Sequence, residues 1–342
     1  MTTLPIPDAG PAQPFDWRAI LNKLGPIIGL LFVFLLFTIL VPLITGRSRF
    51  ATTDNFELML RLTAVVGTAA IGMTLIIISG GIDLSAGPVI ALTTVIIALL
   101  LQQGYSATIA AAGGVAAASF CGLITSQLIT RLKLPPFIAT LGMWAAVRGA
   151  AKGFANNSTV YPPNSWRSTW LHGLLQTLPQ NKWWLLVPAG VWLMIILATL
   201  IALMLRYTRL GRHIIAVGSN EQTARLCGIR VERIKLIVYV LGAAFAGLAG
   251  ILEFSYISSG DPTTRSGAEL DIIAAVFIGG ASISGGHGSI FGSLIGALMM
   301  NMVGNGCTKL GWPNWVQEIA TGVIIIIAVA LDRLRHPPEL KG

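Results

Sequence analysis

The chain has 342 residues, 54% of them apolar and only 11% charged, with a mean hydropathy of +0.75. A soluble domain carries about 25% charged residues, and no soluble core hides this much apolar surface, so the solvent is mostly lipid. The formal charge of +9 gathers in particular loops, a pattern that membrane orientation explains without nucleic acid. Cys121, Cys227 and Cys307 lie far apart, with no CxxC and no Cys/His pairing, so neither a metal site nor a disulfide framework is indicated.

Residues 1–26 are polar and punctuated by Pro5, Pro7, Pro11, Pro14 and Pro26. They read as a cytoplasmic tail, not as a cleaved signal peptide. A spanning helix needs about 20 mostly apolar residues. Ten candidates follow: 27–45, 58–79, 85–102, 107–130, 135–151, 183–205, 236–257, 269–284, 288–304 and 315–332. The eighth and ninth are short and glycine-rich, so they are candidates for broken or re-entrant segments packed against protein. The fold class is therefore all-α: a polytopic integral membrane protein of about ten transmembrane segments. Basic residues concentrate in the tail, near Arg131 and Lys133, in loop 206–235 and in the carboxy-terminal tail 333–342. That asymmetry places both ends inside; Arg47 and Arg49 are the main exception.

Between the second and third spans stands ISGGIDLSAG, with Gly80, Gly81, Asp83 and Ser85. Pro88 decides which residue starts the next helix. A proline at the fifth helical position removes a real hydrogen bond. With Ser85 as N-cap, Pro88 falls at the third position, where the N–H has no intrahelical partner anyway. Ser85 is then the cap, and Asp83 lies outside the helix in a cytoplasmic turn.

The external loop 152–182 holds Pro162–Pro163, Trp166 and Trp170, and reads as an ordered or interfacial segment; an aromatic belt without substrate contact is its blander reading. Trp183 and Trp184 anchor the next span. Loop 206–235 carries seven basic residues, Arg206, Arg209, Arg212, Arg225, Arg230, Arg233 and Lys235, against Glu221 and Glu232. It contains a short helix. Ser219 or Asn220 caps its start, Glu221 suits its dipole, and Gly228 supplies the left-handed stop. Two readings stand side by side: a docking element, or a connecting loop whose charges only fix orientation.

A shift of 205 residues lays Ala69–Ile90 on Ala274–Ile295 with eight of 22 positions identical, among them Gly80/Gly285 and Gly81/Gly286. Glycine-interrupted segments in corresponding halves point to a transport path. Parallel and inverted repeats both remain open. Ala243/Gly247, Ala246/Gly250 and Gly292/Gly296 favour close helix approach in lipid. No G-x-x-x-x-G-K-[ST], HExxH or G-x-S-x-G occurs, which speaks against a nucleotide cradle or a hydrolase site in this chain.

Four segments carry a resemblance: GMTLIIISGGIDLSAG at 72–87, LPPFIATLGMWAAVRG at 134–149, TRLGRHIIAVGSNEQTARLCGI at 208–229 and ELDIIAAVFIGGASISGGHGSIFGSLIGAL at 269–298. They resemble, in order and spacing, the permease subunit of ribose-type ABC importers, a family that also includes branched-chain amino acid permeases. Ala86, Pro88 and Cys227 depart from its usual residues. The resemblance implies a multi-pass protein of the bacterial inner (plasma) membrane with no cofactor and no catalytic residue. It implies a second permease subunit, homo- or heterodimeric, cytoplasmic ATP-binding ABC subunits and an external or periplasmic solute-binding protein. It makes the short helix a coupling helix, carried onto Gly218, Asn220, Glu221, Ala224 and Gly228. The substrate it implies is a small polar solute, a monosaccharide such as ribose, or a branched-chain amino acid.

Ionisable residues within spans are functional candidates by default. Arg61 and Glu318 lie near span ends, where snorkelling removes much of the cost. Asp271, Glu269 and Glu253 are expected to cluster toward the external face, where the carboxylates are candidates for sugar hydroxyl contact or for pairing with Arg265 or Arg148. Arg148, Glu253 and Asp271, with Gly80, Gly81, Asp83, Ser85, Gly285 and Gly286, are the pathway or gate candidates. The competing classes are an ion-gradient-driven secondary transporter and a membrane-embedded enzyme.

Overall fold

The computed structural model describes residues 17–177 and 186–335, and no strand occurs among them. Twelve α-helices follow in order, α1 Trp17–Thr45, α2 Thr53–Ile78, α3 Ala86–Gln102, α4 Ala107–Thr130, α5 Pro136–Phe154 and α6 Ala189–Tyr207. The second group is α7 Arg209–Ser219, α8 Glu221–Leu226, α9 Val231–Ile257, α10 Ala268–Ile278, α11 Ile290–Lys309 and α12 Asn314–Arg335. Each of the ten predicted spans overlaps one helix. By length and composition six of the described helices can cross a membrane: α1 from Gly25, α2, α4, α6, α9 and α11. α3 and Asn314–Ile327 are apolar but shorter. α1 starts at Trp17 and runs through Pro26, so part of the expected tail is helix; residues 1–16 and 336–342 lie outside the described residues, as do Trp183 and Trp184.

α2 is the axis of the bundle. Every residue from Thr63 to Ile78 is buried. Its three hydroxyls there turn back on the helix, Thr63 to the Met59 carbonyl, Thr68 to Ala64 and Thr74 to Ala70, all within 2.7 Å. Small residues set the closest approaches around it. Gly72 meets the Gly242 backbone of α9, Gly247 meets Ala118 and Val115 of α4, and Gly250 meets Thr93 and the Ile90 carbonyl of α3. In lipid such contacts are gained through packing, because the hydrophobic effect offers no drive between helices. α1 lies outermost, with most of its apolar side chains exposed, as a lipid-facing helix requires.

Two ends of the bundle differ. At one end Val160 and Gly260 form a short antiparallel bridge, and Trp166 is buried against Phe254 and His172, its ring centroids 5.0 Å from each. Trp166 is thus a packing anchor, not a belt residue; Trp170 stays exposed. Arg61 also fastens this loop, donating to the Leu175 carbonyl and to Thr177 Oγ1 at 3.2 Å each. From Ser258 the chain turns back along α3. The Asp261 amide donates to Thr94 Oγ1 at 3.3 Å, and the Arg265 carbonyl reaches Gly87. α10 therefore begins beside the first turn of α3, which explains its 11 residues.

The α2–α3 and α10–α11 turns lie together at the other end. The two copies of the repeat thus run toward the same end and back.

Candidate functional site

Four of the glycine candidates, from three distant segments, meet at one point. α6 ends at Thr208, whose hydroxyl donates to the Met204 carbonyl at 2.7 Å and accepts the Gly211 amide at 3.2 Å. Gly211 lies against the Leu205 backbone, so α7 doubles back tightly on α6. α7 buries Gly211, Ile214 and Val217 and leaves Arg209 and Arg212 exposed. This apolar strip brings Gly218 onto the α2–α3 turn. A methyl group on Gly218 would fall on the Ile78 carbonyl oxygen and 2.7 Å from the Gly286 nitrogen. Those two atoms are joined: the Gly286 amide donates to the Ile78 carbonyl at 2.8 Å. A methyl on Gly285 would stand 2.8 Å from the Gly218 carbonyl oxygen and 3.0 Å from the Gly80 Cα. Gly80, Gly285 and Gly286 have φ of +83°, +81° and +76°, the region where glycine alone is unstrained.

The loop beyond holds two helices where one was expected. Arg- and His-rich α7 is as helical as α8, because its burial is local and its cap is Thr208. Asn220 stands between them and caps α8, its Oδ1 accepting the Thr223 amide at 2.9 Å. Ser219 does not cap; its hydroxyl donates to the Ile215 carbonyl. Ala224 is buried, and Gly228 at φ +82° ends the turn. An ion-pair lattice ties α8 to α9: Glu221 to Lys235 at 2.6 Å, Glu221 to Arg225 at 3.4 Å, and Arg225 to Glu232. Its own backbone amide and the Arg225 guanidinium hold the Glu232 carboxyl below the ordinary range. A cavity of about 360 Å³ separates this lattice from the α4–α5 turn at Lys133 and Pro135.

Gly81, Asp83 and Ser85 form the turn above the junction. Ser85 is the residue before α3, and Pro88 occupies its third position. The Ser85 hydroxyl, however, makes no cap. Its Oγ and its amide both donate to Asp83 Oδ1, at 2.6 and 2.7 Å. Asp83 lies outside the helix and holds the turn, and it is only 4% exposed. The cause is the covering by α9: Gly81 packs on the Tyr239 hydroxyl, which is buried without a partner.

The charged candidates sit elsewhere. Glu253 pairs with Arg265 at 2.7 Å and accepts from Thr264 Oγ1 at 2.9 Å. Arg148 Nη1 donates to the Pro262 and Thr264 carbonyls, both at 3.0 Å, leaving Nη2 buried and unpartnered. The Trp144 indole donates to Glu269 Oε1 at 2.9 Å, while Oε2 is buried and unpartnered. These groups fasten the re-entrant segment 258–267. Asp271 points away from them, into a groove against α12. The aromatic and carbonyl partners, Trp144, Tyr239 and Pro262, were not legible because no local pattern announces a contact across more than 100 residues.

The family described as "Branched-chain amino acid transport system / permease component" matches residues 55–329. The chain is 38% identical over 302 residues to the ribose import permease protein RbsC of Escherichia coli K12, covering 87% of this chain and 92% of that one. It is 34% identical to the fructose import permease protein FrcC of Rhizobium meliloti, over 84% and 79% of the two chains. It is 32% identical to the L-arabinose ABC transporter permease protein AraH of Azospirillum brasilense, over 98% and 95%. No solved structure matches the chain. An all-α bundle with apolar spans, matched over most of its length, belongs to this family of transport-system permease components.

Proposed function

We propose that the chain is the membrane permease subunit of an ABC importer for a monosaccharide. Separate cytoplasmic ATP-binding subunits power it, a second permease subunit completes the pore, and a periplasmic binding protein delivers the sugar. The junction end faces the cytoplasm of a bacterium, and the Val160–Gly260 end faces outward. Basic residues of α7 and α8 at the junction end support this orientation.

One observation carries the reading: α7 ends on the contact that joins the two repeat turns. A rigid push on α8 by an ATPase reaches Gly218 through Asn220, and from Gly218 it reaches Ile78 and Gly286 together. Coupling then needs no chemistry in this chain. The backbone breaks at Gly80 and Gly285 let α2–α3 and α10–α11 tilt while each helix keeps its own hydrogen bonds. The relatives' printed sugars, ribose, fructose and L-arabinose, favour a monosaccharide over an amino acid.

The test is uptake by proteoliposomes that contain the permease, its ATPase and its binding protein. ATP-dependent uptake of D-ribose, D-fructose or L-arabinose is expected. Uptake by the permease alone, driven by an ion gradient, overturns the reading in favour of a secondary transporter. ATP-dependent uptake of leucine in place of the sugars overturns the substrate class only.

A further inference from the structure

We propose that the groove between α10 and α12 binds a neutral polyol, as a station that the sugar occupies inside the permease itself. The proposal rests on the importer reading and adds the place and chemistry of recognition. The groove is an open cavity of about 480 Å³ lined by nine residues. Six of them are Ser266, Asp271, Asn314, Gln317, Glu318 and Thr321. The others are Gly267, Gly322 and Leu270, so two glycines bring backbone close to the space.

This lining is anomalous for its surroundings. Outside the groove α12 is apolar and exposed, at Ile319, Val323, Ile326 and Ile327. Asn314, Gln317 and Glu318 stand in the first two turns of α12, while Asp271 and Thr321 lie deeper, where polar side chains are costly and mark solute paths. Here they converge on one volume, of a size ordinary for small-molecule sites. Among the described residues only one internal bond uses them, from Thr321 Oγ1 to Asp271 Oδ1 at a long 3.4 Å. The Gln317 amide also packs on Gly304, and the remaining donors and acceptors are left for a ligand.

The kind of ligand follows from the inventory. Carboxylates only accept, amides donate and accept, and hydroxyls do both. A polyol has hydroxyls that satisfy all three. An amino acid has a carboxylate that needs a cationic partner, and among the described residues neither Lys nor Arg lines the groove. Two carboxylates there repel any anion. An amino acid's apolar side chain would find only Leu270. The buried cluster of Arg148, Glu253 and Glu269 differs, because Arg148 and Glu253 are engaged in clamping the 258–267 segment and Glu269 accepts from Trp144.

The experiment uses the full permease in lipid nanodiscs, with neither ATPase nor binding protein. D-Ribose, D-fructose, L-arabinose and L-leucine are titrated while tryptophan fluorescence is read, Trp315 lying one residue from the lining Asn314. Saturable millimolar binding of at least one sugar is expected, weakened at least tenfold by Asp271→Asn and by Thr321→Val, with no response to leucine. Gln317→Leu serves as a third variant should either fail to fold. Sugar binding that is unchanged in the folded variants overturns the proposal, and so does no binding of any sugar to wild type. Leucine that competes with sugar overturns the polyol class. Crosslinking of two copies through Gln317→Cys, blocking the groove, overturns it as well. ATP-dependent uptake by the full complex is measured alongside. Normal uptake without groove binding refutes the station and spares the importer reading; groove binding without ATP-dependent uptake does the reverse.

Discussion

Gly218→Ala is the sharpest probe of the junction. Its added methyl would collide with the Ile78 carbonyl oxygen and crowd the Gly286 nitrogen at 2.7 Å. All nearby atoms are backbone, so no flexible side chain yields. Overpacking of this kind costs typically about 1–3 kcal/mol. Parting Gly286 from Ile78 leaves a shielded amide and carbonyl unmade, at a further cost of about 1–3 kcal/mol. The low end of that sum, roughly 2–3 kcal/mol, already depopulates the engaged arrangement by roughly 30- to 150-fold. α8 and its ion pairs are untouched. The expected result is an importer that still binds its ATPase and hydrolyses ATP, yet takes up sugar at least tenfold more slowly. Uptake and hydrolysis are measured together in proteoliposomes, after gel filtration shows a folded permease. Gly142→Ala is the control, because nothing stands within 4 Å of the position a methyl would take there. Wild-type uptake by Gly218→Ala refutes the argument that force passes through this contact.

Asn220→Ala removes the bond to the Thr223 amide and is expected to cost about 1 kcal/mol of local order, read as faster hydrogen exchange in Glu221–Leu226. The Arg225–Glu232 pair contributes above the ordinary glutamate value of 4.5, since its folded carboxyl is held lower, and is lost as pH falls through that lowered value. ATPase association through α8 should accordingly be flat from pH 8 to about 5; a loss near neutrality contradicts this. Glu253→Gln leaves Arg265 unpaired and is expected to cost roughly 3 kcal/mol, seen as a lower melting temperature that Arg265→Met partly restores. Asp83→Asn keeps the acceptor for Ser85 and should insert and transport, whereas Asp83→Ala orphans a buried hydroxyl and amide at about 1–3 kcal/mol. Equal damage from both shows that the charge itself matters.

What the sequence disclosed was whatever short-range rules determine. Pro88 placed the start of α3 at Ser85, because one missing N–H allows only certain helical positions. Asn220 and Gly228 bracketed α8 for similarly local reasons. The helices showed as apolar runs of the length that lipid demands. What stayed hidden depends on contacts between segments. The burial of Asp83 has no trace in its own decapeptide; Tyr239, more than 150 residues away, and Thr140 of α5 pack on that turn. Gly218 looked like one residue of a helix end, and its closeness to Ile78 and Gly286 has no trace in its neighbours. Thr208 is an ordinary capping residue, and α7 escaped notice because three arginines and histidines interrupt its apolar strip. The charged cluster near Glu253 was legible as a cluster. Its service to the re-entrant segment was not, since nothing in Asp261–Gly267 announces that the chain turns back along α3.

The two hairpin turns meet α7 on unequal terms, and that inequality decides how a push is shared. The first turn is closed by Asp83 and Ser85 and covered by Tyr239, so it moves as a block with α3. The second, from Gly279 to Ser289, is longer and lacks an aspartate. It is braced internally by the Ser282 amide on the His287 carbonyl at 3.1 Å and by the Ser282–Ser284 hydroxyl pair. Its reach to the rest of the junction runs through Gly286 to Ile78 and by packing on Gly218 and Ser219. A displacement of α7 therefore bears on both turns, on the first at Ile78 and on the second at Gly285 and Gly286, which a hydrogen bond also ties to Ile78. α2 couples the two movements, because it packs on both α10 and α11 along its buried length. The glycines leave helix geometry intact on either side of each break, so the proposed tilt is taken up in the turns. If the loop couples as proposed, this arrangement lets it act on both repeats without touching the segments that clamp the opposite end.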